Sequence, residues 1–243
     1  MLVALAALLW LGFAALVRYL RHNPRGRADL EGAIAWAVIL AYSRLFHRLR
    51  VEGREHIPAR GPLIVVSNHT AGLDPLLIQA GMRDLEIRWM MARDMMIPEL
   101  AQLWEWLRII PVARSRPGAG GRGDAASARE AMRHLKRGGV LGVFPEGGIE
   151  RPPGIIRPFA PGVGLLALKT GAPVLPVAIS GPAYRPTAWG SLFRPSRSRV
   201  EFLDPVCYKG ANMDAEQVAA DIQRRIARAL GWPIAHEPGD TDE

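Results

Sequence analysis

Cysteine is almost missing from this 243-residue chain, Cys207 standing alone, which excludes an internal disulfide and any multi-cysteine metal site. It lies in Phe202-Leu-Asp-Pro-Val-Cys-Tyr with no histidine beside it, a setting for a structural thiol in a reducing compartment. Lysine is scarce too, occurring only at Lys136, Lys169 and Lys209, although basic residues outnumber acidic ones 31 to 23 and the net charge is +8. The excess is therefore arginine. Such a balance suits nucleic acid, an anionic membrane surface or an anionic small substrate. The arginines cluster after apolar stretches and around loops instead of along a reading helix, which speaks against nucleic acid. No G-x-S-x-G supplies a protein nucleophile, and no H-E-x-x-H occurs; His22, His47, His56, His134 and His236 are scattered, so no metal is expected. Internal repeats are absent. The glycine-rich stretch 117–123 is too irregular for a dinucleotide fingerprint.

Charge is missing from residues 1–17, MLVALAALLWLGFAALV. This is the short end of what spans a bilayer, roughly 17 to 25 residues. Positive charge follows the run, at Arg18, Arg21, Arg25 and Arg27. That order argues against a signal peptide and places the following chain on the cytoplasmic side of the cell membrane. A second apolar stretch, 33–42, is too short to span, and its Trp36, its Tyr42 and the basic segment after it suit a helix lying among headgroups. Residues 1–50 are thus expected to anchor the protein on membrane lipids, by spanning or by dipping into one leaflet.

From residue 51 the pattern turns to short β-rich runs separated by helix-compatible segments, the signature of an α/β domain. Strands are expected at 63–67, 87–91, 109–112, 140–144, 174–179 and 200–203, and helices at 98–107, 124–137, 162–170 and 214–230. The expected architecture is a mainly parallel mixed sheet flanked by helices, filling residues 51–234 as one domain. The tail 235–243, AHEPGDTDE, is polar and acidic and is expected to be disordered.

Within that domain the apolar run 63–67 ends in Asn68, His69, a turn and Asp74. In parallel sheets, active sites collect at the carboxyl ends of strands. On a regular helix a five-residue separation would point two side chains about 140° apart. Gly72 and the restriction that Pro75 places on Asp74 favour a turn that returns the carboxylate to the imidazole. An aspartate bonded to one ring nitrogen fixes the tautomer and leaves the other nitrogen to take a proton. Without a protein nucleophile, the hydroxyl so activated belongs to the substrate.

Asn68-His69-Thr-Ala-Gly-Leu-Asp74 resembles the N-H-x4-D marker of the glycerophosphate and lysophospholipid acyltransferase family. Three further blocks follow in that family's order: Ile109-Ile-Pro-Val-Ala-Arg114, Phe144-Pro-Glu-Gly147 and Val174-Leu-Pro-Val-Ala-Ile179. The resemblance covers residues 63–180. It implies that His69 is the general base on an acceptor hydroxyl and that Asp74 orients it. By the same resemblance Asn68, Arg114, Glu146 and Gly147 belong to the acceptor site, Arg114 meeting a phosphate. The donor would be the thioester of acyl-CoA or acyl-carrier protein, with no further cofactor. The acceptor would be a lysophospholipid, with 1-acylglycerol-3-phosphate first in line, in phospholipid biosynthesis.

One departure stands out. The family's Thr-Arg-Ser after the Glu-Gly is Gly148-Ile149-Glu150 here, which leaves Arg151 or Arg157 to supply the second phosphate contact. A non-phosphate acceptor, such as a lyso-aminolipid or a glycolipid, is the alternative, and a non-catalytic lipid-binding membrane protein is another. A thioesterase, with water as acceptor, is a further alternative. Met90, Met91, Met95, Met96, Trp104 and Trp106 read either as an acyl groove or as ordinary core and membrane-contact residues.

Overall fold

The computed structural model describes residues 30–82, 85–113, 125–149, 153–185, 187 and 189–235. The uncharged run 1–17, the arginines that follow it, the 117–123 stretch, Arg114, Arg151 and the tail from 236 onward lie outside the described residues. Helix α1 (Leu30–Ala41) passes into a π-helical turn (Tyr42–Phe46) and strand β1 (Arg50–Glu52). Then come β2 (Leu63–Ser67), α2 (Asp74–Gly81), β3 (Ile87–Ala92), α3 (Ala101–Trp106) and β4 (Ile110–Val112). The second half holds α4 (Ala125–Lys136), β5 (Val140–Val143), α5 (Gly162–Thr170), β6 (Val174–Ser180), β7 (Arg199–Phe202) and α6 (Ala215–Leu230).

The strands form one sheet in the order β1-β7-β6-β2-β5-β3-β4. β6, β2, β5, β3 and β4 run parallel, while β7 pairs antiparallel with β6 and carries β1 parallel to itself. This is the expected α/β architecture, a mainly parallel mixed sheet flanked by helices. It has one strand more than expected, because three-residue β1 carries charged residues and no apolar run. Across the pairing of β1 with β7, Arg199 donates Nε to Glu52 Oε1 at 2.9 Å and Nη2 to Glu52 Oε2 at 2.6 Å.

Central strand β2 is buried along its whole length, so its side chains feed both faces with period two. Ile64 and Val66 join Leu135, Leu141, Leu166, Ile222 and Ile226 under α4, α5 and α6. Leu63 and Val65 join Leu77, Ile78, Met82, Trp89 and Phe202 under α2. Helix α6 is bounded by sequence signals that work as written. Asp214 accepts from Gln217 N at 2.8 Å while Gln217 Oε1 accepts from Asp214 N, and Gly231 ends the helix left-handed.

The N-terminal helix departs in part from expectation. Trp36 and Leu40 are 7% and 4% exposed and pack on Ala80 of α2, so Trp36 is a core residue and not a headgroup anchor. A large ring on the face of α1 turned to α2 removes more apolar area from water there than at a surface. Ile34 and Val38 remain 51% and 60% exposed on the other side. Among the described residues no helix is long and apolar enough to cross a membrane.

Candidate active site

Parallel pairing sets the ends of β2, β5 and β6 side by side, with Val66 opposite Val143 and Ser67 opposite Val177. The chain leaving β2 is strapped at once. Asn68 is buried, and its side-chain amide donates Nδ2 to Ile179 O and accepts from Ile179 N, both at 2.9 Å. Asn68 therefore extends the β2–β6 ladder with a side chain in place of a backbone, and neither polar end faces outward.

His69 comes next, and the turn foreseen from Gly72 and Pro75 follows it. Asp74, the first residue of α2, points back into this turn and is wholly buried. Its Oδ2 accepts from Thr70 N at 2.6 Å, from Ala71 N at 2.9 Å and faces His69 Nδ1 at 2.9 Å, and its Oδ1 accepts from Thr70 Oγ1 at 3.2 Å. A carboxylate fed by backbone donors acts as acceptor. The proton between the pair therefore sits on Nδ1, and the lone pair of His69 lies on Nε2. The His69 side chain is 17% exposed, against 0% for Asp74, so a substrate can reach the ring but not the carboxylate.

Glu146 arrives from the end of β5. Its Oε1 accepts from the backbone N–H of His69 at 2.9 Å, across 77 residues of sequence. Gly147 makes the bend after it, at φ +67° with its N–H on Phe144 O at 3.2 Å; in that left-handed region a side chain costs roughly 1 kcal/mol or more. The loop closes through Ala160 N to Pro145 O at 2.9 Å, and Gln223 of α6 donates to Arg157 O at 2.8 Å. Arg157 Nη1 lies 3.6 Å from where a Cβ on Gly148 would stand. Arg157 is thus the described arginine beside the Glu146-Gly147-Gly148 bend. The chain toward Arg114 is described only as far as Ala113.

Three aromatic rings complete the arrangement, and the sequence pattern had not singled out Trp89 or the ring of Phe144. His69 stacks on Phe144 with centroids 4.1 Å apart and planes 18° apart, and Phe144 stacks on Trp89 at 5.0 Å and 9°. Gly142, paired with Trp89 in the ladder, leaves the space: a Cβ there would stand 2.3 Å from the indole. The only trace of this in sequence is a glycine inside an apolar strand. A cleft of about 500 Å³ along the connection from β3 to β4 is lined by Met96, Ile97, Trp104 and Ile109 among others, and by none of His69, Asp74, Phe144 or Glu146. No cluster of metal-binding side chains occurs among the described residues.

A model of the acyltransferase family matches residues 48–180, the span that builds this geometry. The chain is 29% identical to the 1-acyl-sn-glycerol-3-phosphate acyltransferase alpha of Mus musculus over 221 residues, 88% of this chain and 75% of that one. It is 27% identical to the lysophospholipid acyltransferase LPCAT4 of Homo sapiens over 251 residues, 92% of this chain and 45% of that one. The crystal structure of the 1-acyl-sn-glycerophosphate acyltransferase PlsC from Thermotoga maritima matches with a TM-score of 0.64 and 25% identity, covering 90% of this chain and 94% of that one. Local sequence blocks, the structural match and a family model spanning more than half the residues converge on one conclusion: the chain belongs to the acyltransferase family and is an acyltransferase.

Proposed function

We propose that the enzyme moves a fatty acyl group from the thioester of acyl-CoA or acyl-carrier protein to the free hydroxyl of a lysophospholipid, with 1-acylglycerol-3-phosphate the first candidate. The observation that carries the chemistry is the His69–Asp74 pair at 2.9 Å, with the carboxylate buried and the outer ring nitrogen left to substrate. His69 Nε2 takes the acceptor hydroxyl proton as that oxygen attacks the thioester carbonyl. The tetrahedral intermediate then collapses, the C–S bond breaks, and the imidazolium returns the proton to the departing thiolate. General-base assistance of this kind contributes about 10² to 10⁴-fold; alignment of both substrates supplies much of the remainder. Asp74 fixes the tautomer, Asn68 holds the turn to β6, and Glu146 with Gly147 shapes the acceptor side. No cofactor beyond the thioester donor enters the scheme.

The relatives named above act on 1-acylglycerol phosphates and lysophospholipids by their names, which supports a phosphate-bearing acceptor. Arg157 beside the Gly148 bend supports it as well, since a guanidinium offers a planar fork to phosphate oxygens. Arg114 and Arg151 are the further proposed contacts. Ile149 stands where the resembled motif has an arginine, and that departure keeps a non-phosphate acceptor as the second reading. The residues preceding 30, with their uncharged run and trailing arginines, are proposed to hold the enzyme on the cytoplasmic face of the cell membrane.

The test is turnover of labelled acyl-CoA and acyl-carrier protein by detergent-solubilised enzyme against a panel of lysolipids. Thiol release that needs 1-acylglycerol-3-phosphate and disappears in His69→Ala is the expected result. Release with a lyso-aminolipid or glycolipid alone would favour the second reading, release without acceptor would mean hydrolysis, and no turnover with either donor would sink the proposal.

A further inference from the structure

The Tyr42–Phe46 turn and the segment Trp189–Ser198 form one surface, and the topology puts it at the end of the sheet that carries His69. β6 runs toward that end and finishes at Ser180, and β7 runs back from it, its Arg199 paired with Ser180. The connection between them therefore lies there. β1 starts from the same end, Arg50 being paired with Arg199, so the turn just before β1 lies there too.

The two pieces are tied together. Tyr42 Oη donates to Leu192 O, Ser196 N donates to Phe46 O at 3.4 Å, Ser198 N donates to His47 O at 3.0 Å, and Ser196 Oγ lies 2.8 Å from His47 Nδ1. Farther along, the Trp189 ring meets Trp104 with centroids 6.2 Å apart, which links the segment to the β3–β4 connection across the β2 and β5 ends.

What this surface presents to solvent is unusual for a loop. Leu45 is 80% exposed and Phe193 79%, among the exposed arginines Arg44, Arg48, Arg194 and Arg197. Neither 41–51 nor 181–200 contains an aspartate or glutamate. Scattered exposed apolar residues need no explanation. Two large ones on segments tied to each other by hydrogen bonds, among four exposed arginines and with no acid in either segment, match the chemistry of a lipid headgroup region. Apolar tips enter the acyl boundary while guanidinium groups meet phosphates. Nucleic acid would not reward the apolar tips.

We infer that the Trp189–Ser198 segment and the Tyr42–Phe46 turn dock on an anionic lipid bilayer, turning the His69 end of the sheet toward the membrane. The inference rests on the reading of the acceptor as a membrane lipid and adds where the bilayer sits. An acceptor then reaches His69 from the leaflet without crossing water with its acyl chain exposed.

Flotation of the full chain with vesicles of phosphatidylcholine, with and without phosphatidylglycerol, tests it. Each arginine near an anionic surface is worth roughly fivefold in partitioning. The double substitution Arg194→Ser with Arg197→Ser is expected to weaken binding to phosphatidylglycerol vesicles about 30-fold at low salt, and Phe193→Ser to weaken binding to both vesicle types. Lys136→Ser with Arg137→Ser changes net charge equally at the opposite end of the sheet and is expected to change binding less than about twofold. Turnover of a short-chain monomeric acceptor is expected to persist in the segment variants. Its absence from the parent enzyme would count against the catalytic reading and leave the docking result standing. As a second readout, a fluorophore on Phe193→Cys in a Cys207→Ser background is expected to shift to the blue on phosphatidylglycerol vesicles. Unchanged binding in the segment variants, equal loss in the opposite-end control, or no spectral shift overturns the inference.

Discussion

The phenyl ring of Phe144 lies against the imidazole of His69, 4.1 Å between centroids and 18° from parallel, with the Trp89 indole stacked on its far side at 5.0 Å. The Asp74 bond fixes one edge of the imidazole, and a ring against its face fixes the plane. Both constraints aim Nε2.

Loss of the stack should therefore appear in turnover more than in acceptor affinity. Phe144→Ala is expected to lower kcat by about 10- to 100-fold, the scale of a reacting group displaced by about 1 Å, with KM changed less than about threefold. Phe144→Tyr is expected to restore most of the rate. Gly142→Ala drives a Cβ to 2.3 Å from Trp89 and is expected to cost about 1 to 3 kcal/mol of stability, read by denaturant unfolding. A kcat unaffected by Phe144→Ala would show that the ring only packs.

Asp74 and His69 should separate in their consequences. Asp74→Ala leaves the buried Thr70 and Ala71 N–H groups without their acceptor, at about 1 to 3 kcal/mol each. It is expected to lower both kcat and the unfolding midpoint. Asp74→Asn keeps the volume but permits the wrong tautomer, and a rate loss of the order of 10⁴ is expected. His69→Ala is expected to abolish turnover with little change in unfolding, since that ring donates only to Asp74.

Asn68 is expected to behave as a strap. Asn68→Ala removes the paired bonds to Ile179 and exposes two buried backbone groups to the cost of being unpaired, about 1 to 3 kcal/mol each. Unfolding should register the change first. Asn68→Asp should be no better, because a carboxylate would face the Ile179 carbonyl. Wild-type stability in Asn68→Ala would refute this role.

Arg157 should discriminate among acceptors. Arg157→Ala is expected to raise KM for 1-acylglycerol-3-phosphate by about tenfold, the scale of one charge-assisted contact at 1.5 kcal/mol, and to leave a headgroup-free acylglycerol unaffected. Equal effects on both acceptors would assign Arg157 to holding the loop.

Acid should destabilise the fold through His47 and His134. Burial lowers the pKa of both below the ordinary histidine value, with the Val140 carbonyl on His134 Nε2 opposing it. The unfolded chain then binds protons near pH 6.5 that the folded chain refuses, so unfolding becomes easier as pH falls below about 6.5. His56 has the opposite sign, raised chiefly by its bond to the Phe202 carbonyl, and it favours the fold below that range and loses the contribution as pH rises. Unfolding midpoints of the parent and of His134→Asn between pH 5 and 7.5 check the balance: the variant should show the shallower decline.

Much of this protein is local enough to read in one dimension. The runs 63–67 and 174–179 announce themselves as strands because strands buried on both faces are uninterrupted apolar runs, and α6 because its cap residues and its amphipathic period lie within one segment. The spacing of His69 from Asp74, with Gly72 and Pro75 between, likewise encodes its own turn. Other features have no local signature. Edge strand β1 exists only because β7 pairs with it. The reversal of β7 against β6 depends on where the 181–198 connection lands. Asn68 meets its partner across 111 residues and His69 its Glu146 across 77. The Trp89–Phe144–His69 column needs β3, β5 and β2 laid side by side at one register. Sequence by itself determined the turn that brings Asp74 to His69 and the layers that hold it, since those rest on periodicity and short turns. Only the tertiary structure decided what aims the imidazole, because that depends on strands adjacent in the sheet and distant along the chain.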